Sequence, residues 1–357
     1  MKQQRQESNI TVENKVDRFA FHLIPKESRD IPIITEKEVN GKDYLYYGED
    51  NMMPQYLWNL YLKSAVMQGI VNGTIDYASG NEVKCLKSVI NNEGDTIDDI
   101  IRKVVTDYMV YGGFALQVLR NYNNEVSEIY WMDVKDLRLD KEGNYIYYSK
   151  NWGKYGSKAI KCERFDPKKT QSNSVFYYSG HLSRGVYPIP RYVGALAAIE
   201  TSTEIGKFHL NNILNNLTSS AIVNFNNGVP SKEEQKDIEK RLNDKFSGAD
   251  NAGKFMVSFN DSKESAVTVE RLTEDKMDEK FQTLSKSTMQ EIFIAFRATP
   301  ELFGMSTEGN GFSLAEFEEA FKLYNKTVVK PIQNDVKRCF EKLGIEVDFV
   351  PFKLDAE

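Results

Sequence analysis

Three long helical stretches in the second half of the chain constrain its fold more than any other feature. The first follows Pro190, in RYVGALAAIETSTEIGKFHLNNILNNL, where about 28 residues of helix would span roughly 40 Å. The second is DEKFQTLSKSTMQEIFIAFRATP, with apolar side chains at helical spacing. The third runs from Ser313 to Leu343, acidic at its start and basic toward its end, as the helix dipole favours. We expect Pro331 to kink this helix and Gly344 to end it.

The first half of the chain has a different pattern. We predict one helix that begins at Pro54 and continues past Ser64 to Met67, and another from about Thr96. After Gly112 and Gly113 the apolar period changes to two, with turn residues at Asn123-Asn124 and Glu142-Gly143, which is typical of antiparallel strands. The sequence therefore predicts an α+β fold.

A small β/α insertion separates the first two long helices. It begins with the strand SAIVNF and continues with a charged helix, for which Ser231 is a good N-cap and Glu234 stands at capping-box spacing. The turn SGADNAGK, the strand FMVSF and the strand AVTVERL follow. A Gly- and Ser-containing loop then separates the second and third long helices.

Composition limits the classes of function. The 357 residues are 41% hydrophobic, enough for a sizeable core in roughly two or three domains. A net charge of −6 argues against a protein built mainly to grip duplex DNA, because Lys and Arg supply most of that affinity. Cys85, Cys162 and Cys339 lack CxxC spacing and suit a reducing compartment. We expect no signal peptide and no membrane span.

The motifs of enzymes are weak or absent. Residues 248–254, GADNAGK, satisfy G-x-x-x-x-G-K, but Phe255 follows where a P-loop needs Ser or Thr, and a helix precedes the loop where a P-loop has a strand. His22, His181 and His209 lie far apart with no metal-binding spacing. The acidic pairs Asp98–Asp99 and Asp133–Asp136 suit helix and loop surfaces better than catalysis. We therefore expect no enzyme activity, no cofactor and no bound metal.

Five stretches, taken in order, carry a resemblance. YGEDNMMPQYLWNLYLKSAVMQGIVNGTIDYASG has a Gly-Asp-Asn-like turn, a proline and a helix that ends in glycine. GVYPIPRYVGALAAIETSTEIGKFHLNNILNN has a proline-bearing helix entry, and GADNAGKFMVSF has the form of a hairpin after a charged helix. MQEIFIAFRATPELFGM ends in a Pro-x-Leu-hydrophobic-Gly turn, and GFSLAEFEEAFKLYNKTVVKPIQ is a long helix with proline after a basic residue. This order resembles the portal proteins of tailed bacteriophages.

The resemblance implies a homododecameric ring at one capsid vertex of a virion, assembled in the host cytoplasm. Double-stranded DNA would pass through its channel during packaging and ejection. The ring would also contact the terminase, a head-tail adaptor and the major capsid protein. No contact with a membrane is implied.

The resemblance also divides the chain into named parts of a portal-like α+β fold. Few residues follow Gly344, so we do not expect a large helical crown. The parts are an N-terminal arm (1–36), a wing (37–187), a first stem helix (188–217), a clip (218–275), a second stem helix (276–297), a tunnel loop with its tunnel helix (298–345), and a C-terminal strand or short crown remnant (346–357).

The tunnel loop, residues 303–312, would project into the channel. A loop that faces sliding DNA should move easily and grip no phosphate, and a luminal glutamate would keep its contacts transient. A plain interhelical turn is the competing interpretation. The DNA-channel residues implied by the resemblance are Met305, Ser306, Thr307, Glu308, Gly309 and Asn310.

Two further groups of residues follow from the resemblance. An apolar stripe on the tunnel helix should pack on the wing and on the adjacent subunit, with Phe317, Phe321 and Tyr324 at the oligomer interface. The clip should present short strand edges to neighbouring chains. Its partner-binding residues would be Asn226, Asn227, Lys232, Lys236, Asn251 and Lys254.

Two other classes of protein stay open at this stage. A non-viral oligomeric interaction scaffold without catalysis would have a similar composition, and its subunit number would distinguish it from a large ring. A P-loop protein that uses ATP would bind nucleotide through residues 248–254, and we expect no such binding.

Overall fold

The computed structural model describes residues 35–86, 90–154, 156, 158–214, 222–225, 230–238, 256–259, 277–305 and 314–352. Its first half is α+β, as predicted. The helices there are α1 (Met53–Lys63), α2 (Ala65–Ser79) and α3 (Ile97–Tyr111). The strands there are β1 (Glu36–Lys37), β2 (Tyr46–Tyr47), β3 (Glu82–Lys84), β4 (Gly113–Arg120), β5 (Val126–Met132), β6 (Leu137–Leu139), β7 (Tyr145–Tyr148), β8 (Ile160–Glu163) and β9 (Asn173–Ser179).

Helix capping explains where the first helices begin and end. Pro54 lies in the first turn of α1, as predicted. The prediction of one continuous helix through residue 64 was wrong, because Ser64 has extended backbone angles and its side chain accepts from the N–H of Met67, which caps a new helix. Thr96 and Asp99 form a capping box at the start of α3, near the predicted position.

The predicted meander forms two sheets. One has the order β5-β4-β9 and the other the order β6-β7-β8, and all of their strand pairs are antiparallel. The turns that join β4 to β5 and β6 to β7 contain Asn124 and Gly143, both with positive φ, where the sequence predicted them. A short 3-10 turn, Val134–Asp136, separates the sheets and ends the alternation.

The two stem-like helices lie side by side in the second half. They are α4 (Leu196–Leu214) and α6 (Met277–Phe296), and their rings at His209 and Phe281 lie 6.0 Å apart. Helix α4 begins later than predicted, because a 3-10 turn, Val193–Ala195, takes up the residues that follow Pro190.

The insertion between these helices contains a parallel strand pair. Strands β10 (Ile222–Phe225) and β11 (Met256–Phe259) pair in parallel, with a helix, α5 (232–238), between them in the chain. Parallel pairing needs a crossover, which a hairpin lacks. The segment AVTVERL, predicted as a further strand after FMVSF, lies outside the described residues.

The third long helix changes its winding midway. Helix α7 (Leu314–Tyr324) leads into a π-helical turn, Asn325–Val329, and then into α8 (Lys330–Lys342). Pro331 lies in the first turn of α8, directly after the wide turn. Since proline lacks an N–H and crowds the carbonyl four residues before it, a π-turn there relieves the conflict. Gly344, with φ +74°, follows the helix.

The end of the chain returns to the first half. Strand β12 (Asp348–Val350) pairs antiparallel with β3, and buried side chains of α8 such as Ile332, Val336 and Phe340 join the core that α2 and α3 form. The last strand is therefore part of the same body as the first three helices. Within the described ranges, no helix is long and apolar enough to cross a membrane.

Candidate functional site

Tyr77 on α2 is the centre of an aromatic cluster that contacts residues both before and after the segment 306–313. The ring centroid of Tyr77 lies 6.1 Å from that of Phe303, before this segment. It lies 5.3 Å from Phe321 and 6.3 Å from Tyr324, both after the segment, and 5.3 Å from Phe352 near the end of the chain. We call these five residues the Tyr77 cluster. It ties residues distant in sequence to one turn of α2.

The incoming side of the segment is a 3-10 turn, Pro300–Phe303. The phenol of Tyr77 donates to the carbonyl oxygen of Leu302 at 2.8 Å, and the Leu302 side chain is buried. Gly304 closes the turn with φ +77°, a conformation that favours glycine. The Phe303 ring lies so close to α2 that a Cβ on Gly73 would come within 2.8 Å of it. The absence of a side chain at Gly73 therefore makes room for this contact.

The outgoing side is anchored by Tyr324. Its side chain is 2% exposed, and its hydroxyl oxygen lies 2.6 Å from that of Thr74. Burial raises the pKa of Tyr324 to about 12, so the hydroxyl keeps its proton at neutral pH. Its ring also lies 5.6 Å from that of Phe303, so the end of α7 contacts the turn that precedes the segment.

The predicted interface residues have different environments. Phe317 and Phe321 are half-buried and pack against the core, as expected for a stripe that contacts the wing. Their contact with another copy stays a prediction. Tyr324 is a core residue of the single chain, with no side-chain surface left for a neighbour, because Thr74 and the Tyr77 cluster enclose it. We therefore do not retain Tyr324 as an interface residue.

Most of the predicted channel residues cannot be placed. Met305 is half-buried against the core, and its N–H donates to the carbonyl of Pro300 at 3.1 Å. The other five, Ser306, Thr307, Glu308, Gly309 and Asn310, lie outside the described residues. Their channel position stays a prediction.

The clip residues are described only in part. Lys232 and Lys236 are exposed one turn apart on α5, whose predicted capping box is confirmed by the Ser231 and Glu234 hydrogen bonds. Asn226, Asn227, Asn251 and Lys254 lie outside the described residues, as does the P-loop-like stretch 248–254. The part of the chain that is described contains no cluster of three His, Cys, Asp or Glu side chains that could hold a metal ion.

A buried arginine organises the YGEDN turn. Arg138 is fully buried, and its guanidinium donates to the side-chain and main-chain oxygens of Asn51 and to the carbonyl of Leu137. Asn51 has φ 67°, a strained region that asparagine tolerates better than most residues. Trp152 stacks on the guanidinium at 4.8 Å. The sequence contains both the turn and the arginine, but nothing in it connects them.

A buried carboxyl was also missed from sequence. Asp107, near the end of α3, is 1% exposed and accepts a hydrogen bond from the indole N–H of Trp131 at 2.9 Å. Burial, together with the charge of Asp133, raises the pKa of Asp107 well above its usual range. Helical spacing puts Asp107 seven residues after Ile100 and three after Val104, at the edge of the apolar face of α3, and this spacing was the signal in the sequence.

Several solved structures contain chains with a similar fold. The neck of an empty gene transfer agent particle, computed with C6 symmetry, has a chain with TM-score 0.57 and 16% identity, over 85% of this chain and 84% of that one. The neck of the native particle, computed with C12 symmetry, gives TM-score 0.55 and 16% identity over 85% of each chain. At such identities the likeness concerns the fold.

A crystal structure of an HK97-family phage portal protein from Corynebacterium diphtheriae is also similar. Its TM-score is 0.50 at 12% identity, over 82% of this chain and 94% of that one. No curated protein matches the sequence. The family described as Phage portal protein matches residues 63–356, which is most of the chain. The protein therefore belongs to the phage portal protein family.

Proposed function

We propose that this protein forms a ring of twelve copies at one vertex of a phage capsid. Double-stranded DNA passes through the ring during packaging and ejection. The observation that carries this proposal is the family match over residues 63–356. Two of the similar structures are necks of gene transfer agent particles, computed with C6 and C12 symmetry. This rotational symmetry supports a ring within a virion.

In this proposal the Tyr77 cluster is the fixed base of the tunnel loop. The ring centroids of Phe303 and Tyr324 lie 5.6 Å apart, so the turn before the loop and the end of the helix after it are held together. Ser306, Thr307, Gly309, Gly311 and neighbouring residues offer no positive charge to a passing phosphate. A firm base with a weakly binding tip lets DNA slide while the protein keeps its shape.

The remaining parts take the roles that the resemblance implies. Residues 37–187 are the wing, α4 and α6 the stem, and 218–275 the clip, where the terminase and the head-tail adaptor bind. The major capsid protein surrounds the wing. The ring assembles in the host cytoplasm, needs no cofactor and catalyses no reaction.

The clip offers an edge for contacts between copies. In the described part of the chain, β10 and β11 pair only with each other, so each has an outer edge without a partner strand. Such an edge readily accepts a strand from another chain. We expect strand pairing between copies within residues 218–275. An assembled ring in which this segment touches no neighbouring chain would contradict this expectation.

The ring itself is tested by native mass spectrometry and by electron microscopy of the purified protein. We expect end-on ring views and a mass twelve times that of the 41.0 kDa chain. A monomer or dimer at micromolar concentration would count against the portal and favour the non-viral scaffold. Titration with ATP tests the remaining alternative, and saturable binding would revive the P-loop interpretation.

A further inference from the structure

Two adjoining clefts of about 390 and 480 Å³ lie where the stem helices meet the body. His181, Arg191 and Pro331 line both of them. One wall comes from the end of α6 and the other from α8, with the π-helical turn between α7 and α8 along the edge. The clefts belong to neither the Tyr77 cluster nor the proposed tunnel loop.

The walls of these clefts are basic although the chain is acidic. Arg191, Arg297, Arg338 and Lys342 line them, and Asp335 is the one carboxylate among the lining residues. That carboxylate is already engaged, because it accepts from Tyr108 at 2.8 Å and pairs with Arg338. A cleft with an excess of one sign of charge concentrates ions of the other sign.

Two of the cations are available to a further partner. The side chains of Arg297, exposed just after α6, and of Lys342, exposed at the end of α8, make no hydrogen bond or ion pair within the described residues. Arg191 is held in place, because it donates to the Tyr108 hydroxyl at 2.8 Å and stacks on the Tyr108 ring at 5.3 Å. The rim of the cleft therefore has cationic side chains that can bind an oxyanion.

The floor of the first cleft is apolar. Tyr192 and Phe296 stack there with ring centroids 4.9 Å apart, and Val328 and Pro331 complete the surface. An apolar floor under a basic rim suits a glutamate side chain with apolar neighbours, whose methylenes can lie on the floor. A phosphodiester of duplex DNA has no such apolar stem.

Helix α7 exposes a glutamate with an apolar neighbour, the combination that the cleft would accept. Glu319 is exposed, and its carboxylate has no hydrogen-bond or ion-pair partner in the part of the chain that is described. Leu323, one turn later on the same face, is 61% exposed. The nearest cleft-lining residue on this helix is Thr327, about 12 Å from Glu319 along the axis at the standard rise, so Glu319 does not reach the cleft of its own chain.

We propose that Glu319 and Leu323 of one copy dock in the two adjoining clefts of the next copy, whose basic rim is formed by Arg191, Arg297 and Lys342. The inference rests on the proposed ring, in which each copy presents two different faces to its neighbours. The carboxylate binds the rim and Leu323 covers the apolar floor. Because this contact links the helix after the tunnel loop to the stem of the neighbour, it specifies the register of the ring.

Charge reversal with restoration tests this contact. Native mass spectrometry at increasing NaCl measures the salt concentration at which half of the rings dissociate, for the wild type, Glu319→Arg, Arg297→Glu and the double variant. We expect each single variant to lower that concentration about twofold or more, because opposed like charges repel, and the double variant to recover it. Glu142→Arg, an exposed change in the β6–β7 turn, should match the wild type.

The outcomes separate this contact from the ring itself. Wild-type rings that are unaffected by either single variant would overturn the contact and leave the ring intact, whereas a wild type without rings would overturn both. An Arg297→Glu variant that keeps normal rings but loses affinity for a short DNA duplex would show that the cleft binds phosphate instead. If Arg297→Glu shows an altered thermal melt, Lys342→Glu with Glu319→Lys repeats the cycle.

Discussion

The hydroxyl of Tyr324 donates a hydrogen bond to the hydroxyl of Thr74, 2.6 Å away in the core. The direction follows from Thr74, whose single hydroxyl proton is donated to the carbonyl of Ile70 at 2.6 Å. Thr74 can therefore only accept from Tyr324. Through this bond the helix after the proposed tunnel loop is attached to α2 at a defined position.

Tyr324→Phe tests that attachment. The change keeps the ring and removes one buried hydrogen bond, so we expect the free energy of unfolding to fall by about 1 kcal/mol. Urea denaturation of the purified protein measures it. Tyr130→Phe, at a partly exposed phenol of β5, is the control and should cost less. Equal stability of Tyr324→Phe and the wild type would mean that the bond contributes nothing.

Gly69→Ala and Gly73→Ala form a matched pair on α2. A Cβ at Gly69 meets nothing within 4 Å, so alanine there should stabilise the helix by about 0.5–1 kcal/mol. The same change at Gly73 must displace the Phe303 ring, and we expect the gain to be cancelled or reversed. Thermal melts of both variants measure the difference, and equal gains would show that Phe303 moves freely.

Asp107 should make stability depend on pH. Its pKa is raised in the folded protein, so between the unfolded value near 3.8 and the folded value the native state binds more protons. Its contribution is therefore fully present below pH 3.8 and is lost as the pH rises through the folded pKa. The stability of the wild type relative to Asp107→Asn should fall as the pH is raised from 4. A difference that does not change with pH would contradict this.

Phe321→Asp and Leu323→Asp separate fold from assembly. Phe321 packs on Tyr77 and Phe352, so an aspartate there should destabilise the protomer by several kcal/mol and prevent ring formation. Leu323 is 61% exposed, so the same change should leave the melting temperature of the monomer nearly intact and weaken only the ring. Normal rings from Phe321→Asp would refute the packing role of this stripe.

Changes in side-chain size at residues 308 and 309 test the prediction that the loop lines the channel. Glu308→Gln and Gly309→Ala should leave folding and ring formation nearly unchanged, within about 0.5 kcal/mol. Gly309→Trp should narrow the channel and impair DNA packaging in rings that still assemble. Normal packaging by rings verified to contain the tryptophan would favour the plain interhelical turn.

The sequence by itself determined the local structure and the family. Thr96 with Asp99 and Ser231 with Glu234 specify helix starts, because each capping box depends on residues three apart. Asn124 and Gly143 specify hairpin turns, because few residues tolerate positive φ. The order of such local signals along the chain was enough to identify a phage portal protein.

The tertiary structure alone decided which distant residues meet. Strand β12, near the end of the described chain, returns to pair with β3. Burial of Arg138 against Asn51, of Asp107 beneath Trp131 and of Tyr324 against Thr74 depends on contacts between residues far apart in the chain. Periodicity reports which face of an element is apolar, but it does not report which other element covers that face. Only packing resolves whether such a face lies in the core or at an interface.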